Sequence, residues 1–369
     1  MYEELKEIKS SGGRAAGWFC SFVPVELLDA AGFAAVDLTA DGKEFESFAE
    51  KELPTDTCPL VKACYGQFFQ AGGPEAVPVD LVVAETGCDG KKKMYDRLAD
   101  KVRLYVLQLP QGPTEAYAHG LWRDEIHRFS RFLEELTGEP LTDEKLRAAA
   151  RARNEYREIR RQINGLLAQD GNTIPAASVC EALEKMAKSP TVELAIKRGK
   201  SFLGQAEKDN AAAGADAIER SETCPRVIVT GSPLYGVEEK ILGSVESAGG
   251  RVVCLENCTG IKAALCEIDA EAEDILDEIA DAYLQIGCAI MTPNANRLEN
   301  VKTFSTECHA DGILDVTLQS CRTYGIETHK VNMLADELEK PYLSIETNFS
   351  DSDVAQVRTR LEAFMELLS

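Results

Sequence analysis

Short apolar runs that alternate with helical segments constrain the fold of this chain more than any other feature. In the first part of the chain, the runs RAAGWF, FAAVDLT, DLVVAE and VRLYVLQL predict strands. From Pro225 onward the alternation returns, and RVIVTG, RVVCLE, GILDVTL and YLSIE are the predicted strands. Strands separated by helices are typical of parallel sheets with helices on both faces. Both ends of the chain therefore predict an α/β, doubly wound fold.

The middle of the chain has a different character. Residues from about 115 to 220 lack strand signals and are rich in Ala, Glu, Arg and Lys. Thr142, with acidic residues directly after it, predicts a helix start, and the basic run from Arg151 to Arg161 predicts a solvated helix face. We therefore predict a first α/β domain over residues 1–140, a helical connector over 141–222 and a second α/β domain over 223–369.

Charge and hydropathy exclude two classes of partner. Lys and Arg total 40, Asp and Glu total 62, and the formal net charge is −22. A chain this acidic repels the backbone of a nucleic acid. No run reaches the roughly 18 apolar residues of a membrane span, and the charged start of the chain lacks the apolar core of a signal peptide. We predict a cytoplasmic protein with no nucleic-acid and no membrane partner.

Cysteine is the residue type that points most directly to chemistry. The chain has 12 cysteines, and in a reducing compartment clustered thiols indicate metal binding or catalysis rather than disulfides. Six of them follow predicted strands or precede predicted helices: Cys20, Cys58, Cys88, Cys258, Cys288 and Cys321. Their spacings are 38 and 30 residues in the first half and 30 and 33 in the second, an approximate internal repeat of three thiols.

Ligands of open α/β sheets collect beyond the carboxyl ends of the strands. We therefore expect the six cysteines to converge in the cleft between the two α/β domains. The chain contains no C-x-x-C, which disfavours a zinc ribbon. Spacing alone also permits the alternative that all six are buried thiols that only pack.

The sequence motifs around these cysteines resemble those of a known family. They include CDGKKKMY from Cys88, ENCTG around Cys258 and GCAIMTPNANR around Cys288. From about residue 14 to residue 368 the chain resembles the 2-hydroxyacyl-CoA dehydratase superfamily, which also contains benzoyl-CoA reductase subunits. Within it, the closest resemblance is to the double-cubane-cluster-containing anaerobic reductases. The resemblance implies two Rossmann-like domains, a helical connecting region and a cluster site in the interdomain cleft.

The resemblance also implies a cofactor. In the double-cubane branch, six cysteines supply three ligands to each cubane and a shared sulfide joins the two, which gives an [8Fe–9S] cluster. In the dehydratases, one [4Fe–4S] cluster is held by three cysteines, and the matching positions here are Cys58, Cys88 and Cys321. Ser232 is a poor iron ligand and is expected to be structural. Arg322 stands where relatives often carry His, which weakens the expectation of a proton donor there.

Other residues are predicted to act near the cluster. Lys91, Lys92 and Lys93 follow Cys88 at a helix start, where anions are favoured. We interpret them as holding an anionic substrate, CoA phosphates or the negative charge of the cluster, with a solvated helix start as the alternative.

Three further side chains are candidates to donate or accept protons near the cluster: Tyr95, Tyr324 and Glu327. Cys64 lies six residues after Cys58 and is expected to point away from it, as a packing residue. Glu26 is interpreted as a polar helix position.

The function implied by the resemblance is a low-potential iron–sulfur oxidoreductase that acts on a small molecule and works as a homodimer. A separate ATP-hydrolysing activator protein with its own [4Fe–4S] cluster would supply the electrons, and the lack of any G-x-x-x-x-G-K-[ST] loop in this chain fits such a partner. One alternative is a subunit of a 2-hydroxyacyl-CoA dehydratase, in which one electron reaches an acyl-CoA thioester and the ketyl radical expels the hydroxyl group. The other is a non-enzymatic electron-storage iron–sulfur protein.

Overall fold

The computed structural model describes residues 1–40, 42–70, 73–214 and 223–369. Within these residues the strands are β1 Arg14–Trp18, β2 Phe33–Asp37, β3 Leu81–Glu85, β4 Leu104–Leu107, β5 Arg226–Gly231, β6 Arg251–Glu256, β7 Gly312–Leu318 and β8 Tyr342–Thr347. They form two parallel four-stranded sheets with the orders β2-β1-β3-β4 and β6-β5-β7-β8. The predicted α/β class with two parallel sheets is confirmed.

Helices precede, separate and follow the strands. They are α1 Tyr2–Ser10, α2 Val25–Ala30, α3 Lys43–Ala49, α4 Pro59–Gly66, α5 Asp89–Leu98, α6 Ala116–Thr137, α7 Asp143–Gly165, α8 Ala176–Ala187, α9 Val192–Ala212, α10 Ser244–Ser247, α11 Ile275–Leu284, α12 Ala295–Glu307, α13 Arg322–Glu337 and α14 Val354–Leu368. Short 3₁₀ segments cover Gln67–Phe69, Gly73–Ala76, Leu166–Ala168, Lys262–Ala264 and Asp351–Asp353, and Glu239–Gly243 is a π-helical turn. Residues 215–222, at the end of the predicted connector, lie outside the described residues, and the division into three domains stays a prediction.

The local signals read from the sequence explain where these elements begin. Every residue of β7 is buried, as expected for a strand of a parallel sheet that is covered on both faces. The Thr142 hydroxyl accepts a hydrogen bond from the Lys145 backbone N–H and caps α7.

In the part of the chain that the structure describes, none of the helices is both long and apolar enough to cross a membrane.

Strand order places a crevice at the same point of each sheet. β1 lies between β2 and β3, and β5 lies between β6 and β7. The chain therefore leaves the first strand of each sheet toward one side and later returns on the other side, and ligand sites of α/β proteins form at the carboxyl ends of strands at such a switch point. Side chains that follow these strands in both sheets line one common cavity.

Three arginines of the basic stretch of α7, Arg153, Arg157 and Arg160, are buried, whereas Arg151 is exposed, so the prediction of a solvated helix face is wrong for most of the run. Arg153 forms an ion pair with Asp29 (Nε to Oδ2, 2.6 Å), and Arg157 forms one with Glu26 (Nη2 to Oε1, 2.5 Å). The Tyr283 hydroxyl donates to the same Glu26 carboxylate. Glu26 has no exposed surface, so it is not an ordinary polar helix position. A charged helix face can be buried when carboxylates of neighbouring elements pair with it. A buried charged face and a solvated one have the same pattern in the sequence.

A second polar contact ties α6 to α11. Arg123 binds both Asp277 and Asp281, while His119 Nδ1 lies 3.0 Å from an Asp281 oxygen and His127 Nε2 lies 3.0 Å from an Asp277 oxygen. The three residues of α6 are spaced by four, so they lie on one helix face. This face of α6 therefore contacts α11 through the two ion pairs of Arg123 and the two histidine–carboxylate contacts.

Candidate functional site

One cavity between the two sheets is lined by all six cysteines that the sequence singles out. It spans about 1090 Å³, part of which is open to solvent. The thiols come from both halves of the chain: Cys20, Cys58, Cys88, Cys258, Cys288 and Cys321.

Three of the six cysteines stand directly at helix starts. Cys58, Cys88 and Cys321 are the N-cap residues of α4, α5 and α13. Pro59 follows Cys58 at the first helical position, where its fixed φ suits a helix start. The positive end of each helix dipole favours a thiolate over a thiol at such a position.

The other three cysteines lie in loops. Cys20 follows β1 by two residues and has a left-handed backbone with φ 78°. Cys258 lies in the ENCTG turn after β6, and Cys288 lies between α11 and α12. The turn needs its glycine, because a Cβ at Gly260 would lie 2.0 Å from the Leu255 carbonyl oxygen.

Arg160 of α7 holds the ENCTG turn against the cavity. Its guanidinium donates to the carbonyl oxygens of Thr259 (3.0 Å) and Gly260 (2.9 Å), and also to that of Leu183 (2.8 Å). The residue is buried and lines the cavity. The helical connector therefore contributes directly to the site, which the sequence analysis missed because the whole basic run was assigned to solvent.

The thiols differ in how readily they ionise. A hydrogen bond from the Cys58 thiol lowers the pKa of Cys321 to about 6, against the opposing effect of burial. The same contact raises the pKa of Cys58 well above its usual value. Burial raises the pKa of Cys20 and Cys258. Without a metal, Cys321 is therefore the more acidic thiol of the Cys58–Cys321 pair. Binding of a metal would release protons from Cys20, Cys58 and Cys258.

Of the three consecutive lysines, only Lys91 lines the cavity. Its Nζ lies 2.9 Å from an oxygen of Glu85, which has no exposed surface. Lys92 and Lys93 pair with Asp89 and Asp96 on α5 itself, and Lys93 is 84% exposed. Successive helical residues are rotated by about 100°, so three in a row cannot face one site. The structure gives Lys92 and Lys93 the solvated helix start that was the alternative.

The three candidate proton donors and acceptors lie at different depths. Tyr324 lines the cavity, and its hydroxyl is 3.9 Å from Cys288 Sγ. Tyr95 is buried beneath the cavity wall and stacks on Phe19. Glu327 accepts a hydrogen bond from Asn294 and also pairs with Lys330. Only Tyr324 is placed to meet a molecule bound among the thiols.

The sequence analysis missed other residues of the cavity wall. Asp37, at the end of β2, accepts a hydrogen bond from the Tyr235 hydroxyl across the two halves (3.2 Å), and burial raises the pKa of Asp37. Both residues line the cavity, and so does Cys64. The expectation that Cys64 points away from Cys58 is wrong. Cys58 is the N-cap and precedes the helix, so helical periodicity counted from it does not apply.

Another group of potential metal ligands lies outside the cavity lining. Ligand atoms of His127, Asp274 and Asp277 all lie within 4.8 Å of one another. The Arg123 guanidinium already contacts Asp277 at 3.2 Å, and the Asp274 carboxylate caps α11. We therefore assign this group to the ion pairs between α6 and α11.

Comparison with known proteins assigns the family. The family described as 2-hydroxyglutaryl-CoA dehydratase, D-component, matches residues 20–368. The chain is 35% identical to the putative dehydratase subunit YjiM of Escherichia coli, over 99% of this chain and 94% of that protein. It is 21% identical to the (R)-phenyllactyl-CoA dehydratase beta subunit of Clostridium sporogenes, over 99% of this chain and 94% of that protein.

A third relative also matches over almost the full length of both proteins. The (R)-2-hydroxyglutaryl-CoA dehydratase subunit beta of Acidaminococcus fermentans is 22% identical over 99% of this chain and 95% of its own length. The match therefore covers both sheets, the connecting helices and every cysteine of the cavity. The resemblance inferred from the cysteine motifs is confirmed at the level of the family, and the chain belongs to the 2-hydroxyglutaryl-CoA dehydratase D-component family.

Proposed function

We propose that the six cysteines singled out in the sequence, which line the cavity together with Cys64, hold an iron–sulfur assembly of the double-cubane type, and that the protein is a low-potential reductase of a small molecule. The observation that carries this proposal is the convergence of six thiols from both halves of the chain on one cavity. A single [4Fe–4S] cluster with three cysteine ligands leaves Cys20, Cys258 and Cys288 in that cavity without a chemical role.

The donor set fits such a group. Iron–sulfur clusters are held by cysteine thiolates, and three thiols for each cubane plus one shared sulfide complete eight irons with nine sulfides. Three of the cysteines are helix N-caps, so the positive ends of three helix dipoles lie where the anionic cluster would bind. Lys91 lines the cavity as well, as the cationic partner of the buried Glu85.

When bound, the iron–sulfur assembly supplies one-electron chemistry at low potential. The protein residues around it control access and charge. Arg160 fixes the turn that carries Cys258 through two carbonyl contacts. The Tyr324 hydroxyl is the group placed to donate a hydrogen bond to a substrate atom in the cavity, because it is at the wall beside Cys288. Asp37 and Tyr235, which are hydrogen-bonded to each other, form another part of the cavity wall.

A specific observation favours a second candidate function. The three helix-capping thiols, Cys58, Cys88 and Cys321, are also the positions that match the ligands of a single [4Fe–4S] cluster in the dehydratases. In this alternative the protein is one subunit of a 2-hydroxyacyl-CoA dehydratase and takes an acyl-CoA substrate. A non-enzymatic electron-storage role is the third candidate, and a cavity of this size beside the thiols argues against it.

Iron content separates these candidates. In anaerobically purified protein, Cys288→Ala should lose about half or more of the iron if each cubane has three cysteine ligands. Cys321→Ala should lose its iron in both enzyme readings. Cys266→Ala is a matched control, because this thiol is buried but lies outside the cavity. A full iron content in Cys288→Ala, with Cys321→Ala empty, would favour the dehydratase subunit.

We also propose a separate ATP-hydrolysing activator protein as the source of electrons, and a cytoplasmic homodimer as the working form. The chain contains no G-x-x-x-x-G-K-[ST] loop, so it lacks a common phosphate-binding device. The purified protein with ATP and a mild reductant should show no turnover until the activator is added. Turnover without the activator would contradict this part of the proposal.

A further inference from the structure

Each half of the chain buries one lysine close to the thiols, and the two lysines differ in their partners. In the first half, Lys91 forms a salt bridge of 2.9 Å with Glu85. Glu85 is fully buried, so solvent screens this pair little. The pair carries no net charge, and its effect on an anion in the cavity is that of a dipole rather than of a full positive charge.

In the second half, Lys262 has no such partner. It is 1% exposed and its Nζ donates to the Tyr324 hydroxyl at 2.5 Å. Among the residues that the structure describes, no carboxylate forms a salt bridge with it. Tyr324 in turn lies 3.9 Å from Cys288 Sγ. A phenol is neutral, so the hydrogen-bond partner of Lys262 does not neutralise the ammonium, which lies one side chain away from a cavity thiol.

The carboxylates in this region form no salt bridge with Lys262 among the described residues, although the buried Glu256 acts on it from a greater distance. Glu256 accepts a hydrogen bond from Thr230 (2.6 Å). Asp315 accepts one from Tyr342 (3.1 Å) and lies 3.9 Å from the buried guanidinium of Arg297.

Lys262 stays protonated in this setting. Burial disfavours its charge, but the pKa of Lys262 is raised, because the buried carboxylate of Glu256 favours the ammonium, as thiolates at Cys258 and Cys288 would. The Tyr324 ring contacts two cations, because Lys262 and Arg297 both lie 5.1 Å from its centre. Two cations therefore face the tyrosine that lies beside the cavity thiol Cys288.

We infer that Lys262, rather than Lys91, supplies the positive charge that raises the reduction potential of the metal centre. An added electron is stabilised by a nearby positive charge, and the stabilisation is larger in a buried, low-dielectric site than in water. Lys262 acts as a positioning residue, through its charge and through Tyr324, and it is not itself a ligand. This inference rests on the proposed function.

Three variants of the full-length protein test the sign of the effect. Lys262→Met removes the ammonium charge and should shift the reduction potential to more negative values. Lys262→Arg retains the charge and should keep the potential close to that of the wild type. Glu85→Gln frees the charge of Lys91 and should shift the potential to more positive values. The double variant Lys91→Met with Glu85→Gln removes a neutral pair and should shift it less than Lys262→Met.

The measurement is an anaerobic equilibrium titration with redox mediators, followed by electron paramagnetic resonance, after iron has been counted in each variant. Full iron with an unchanged potential in Lys262→Met, or a negative shift in Glu85→Gln, would overturn the inference and leave the proposed function standing. If Lys262→Met loses its iron, its reduction potential cannot be measured. The inference then stands if Glu85→Gln shifts the potential to more positive values, and it is overturned if the shift is negative or absent. A wild-type protein without iron would instead overturn the proposed function, and the inference with it.

Discussion

The two sheets share one strand order but place their cysteines differently. In both halves, the helix that follows the third strand is capped by a cysteine. This is Cys88 after β3 and Cys321 after β7. After the first strand the halves differ, because Cys20 follows β1 whereas Ser232 follows β5. After the second strand the difference is reversed, since Cys258 follows β6 closely and β2 has no cysteine at that point.

This difference shows that the three-thiol repeat is only partial. Cys88 and Cys321 correspond by topology, while Cys20 and Cys258 are particular to their own half. Ser232 keeps a structural role instead, since its hydroxyl accepts a hydrogen bond from the Leu318 backbone N–H. The site is therefore better described as one set of thiols shared by two unequal halves than as two copies of a three-thiol unit.

The largest effect is expected where α7 joins the halves. Arg157→Met leaves the fully buried Glu26 without its cation, and breaking such a pair costs about 3–5 kcal/mol. The free energy of unfolding in urea measures this loss. The double variant with Glu26→Gln should recover part of it, because it leaves no buried charge. Arg151→Met is the control, since Arg151 forms an exposed pair, and its effect should be about 0–1 kcal/mol. An equal effect of both arginine variants would contradict a special role for the buried pair.

A smaller effect should separate the residues that follow the first strands. Ser232→Ala leaves the buried Leu318 N–H without its acceptor and should cost about 1–3 kcal/mol of stability, with iron content unchanged. Cys20→Ala should instead lower the iron content at little cost in packing. Iron analysis and urea unfolding of the same samples test both. Loss of iron in Ser232→Ala would show that the halves are more alike than their cysteines indicate.

The smallest effect concerns the ion pairs between α6 and α11. Hydrogen bonds from Arg123 lower the pKa of Asp281 below its ordinary value, so the charged form is favoured in the folded protein. This stability is present above the usual Asp pKa of about 4 and is lost as the pH falls through the lower pKa of the folded state. Asp281→Asn should cost about 0.5–1 kcal/mol at pH 7.

The difference between Asp281→Asn and the wild type should shrink as the solution is acidified below the usual pKa. Thermal unfolding at a series of pH values checks this. A difference that stays constant down to the most acidic pH at which both proteins fold would argue that Asp281 acts through packing rather than through its charge.

The sequence carried enough information for the sheets and for the meeting of the thiols. The boundaries predicted for β5, β6 and β7 agree with the structure, because each strand has an apolar run of three or more residues or alternating apolar positions and is followed by a polar turn. The six cysteines could be placed because they stand at strand ends and helix starts, and parallel strands all end at one edge of the sheet.

The sequence did not reveal which polar residues are buried. Arg160 and Lys262 look like solvated residues in a single sequence, since nothing local indicates that carbonyl oxygens or a tyrosine hydroxyl will meet them. Asp37 and Tyr235 lie 198 positions apart, and such a contact depends on how the halves pack. The position of Tyr235 within TGSPLYG was the one available signal, and the sequence analysis did not use it.

The distribution of the thiols over both halves has a consequence for synthesis in the cell. Cys20 and Cys321 stand 301 positions apart in the chain. At about 5–20 residues per second, a ribosome needs roughly 15–60 s to make that stretch. During this interval the early thiols have no partners from the second half, and the completed cavity does not yet exist. Metal loading as proposed is therefore a post-translational event, and the early cysteines depend on reducing surroundings until the last strand of the second sheet has formed.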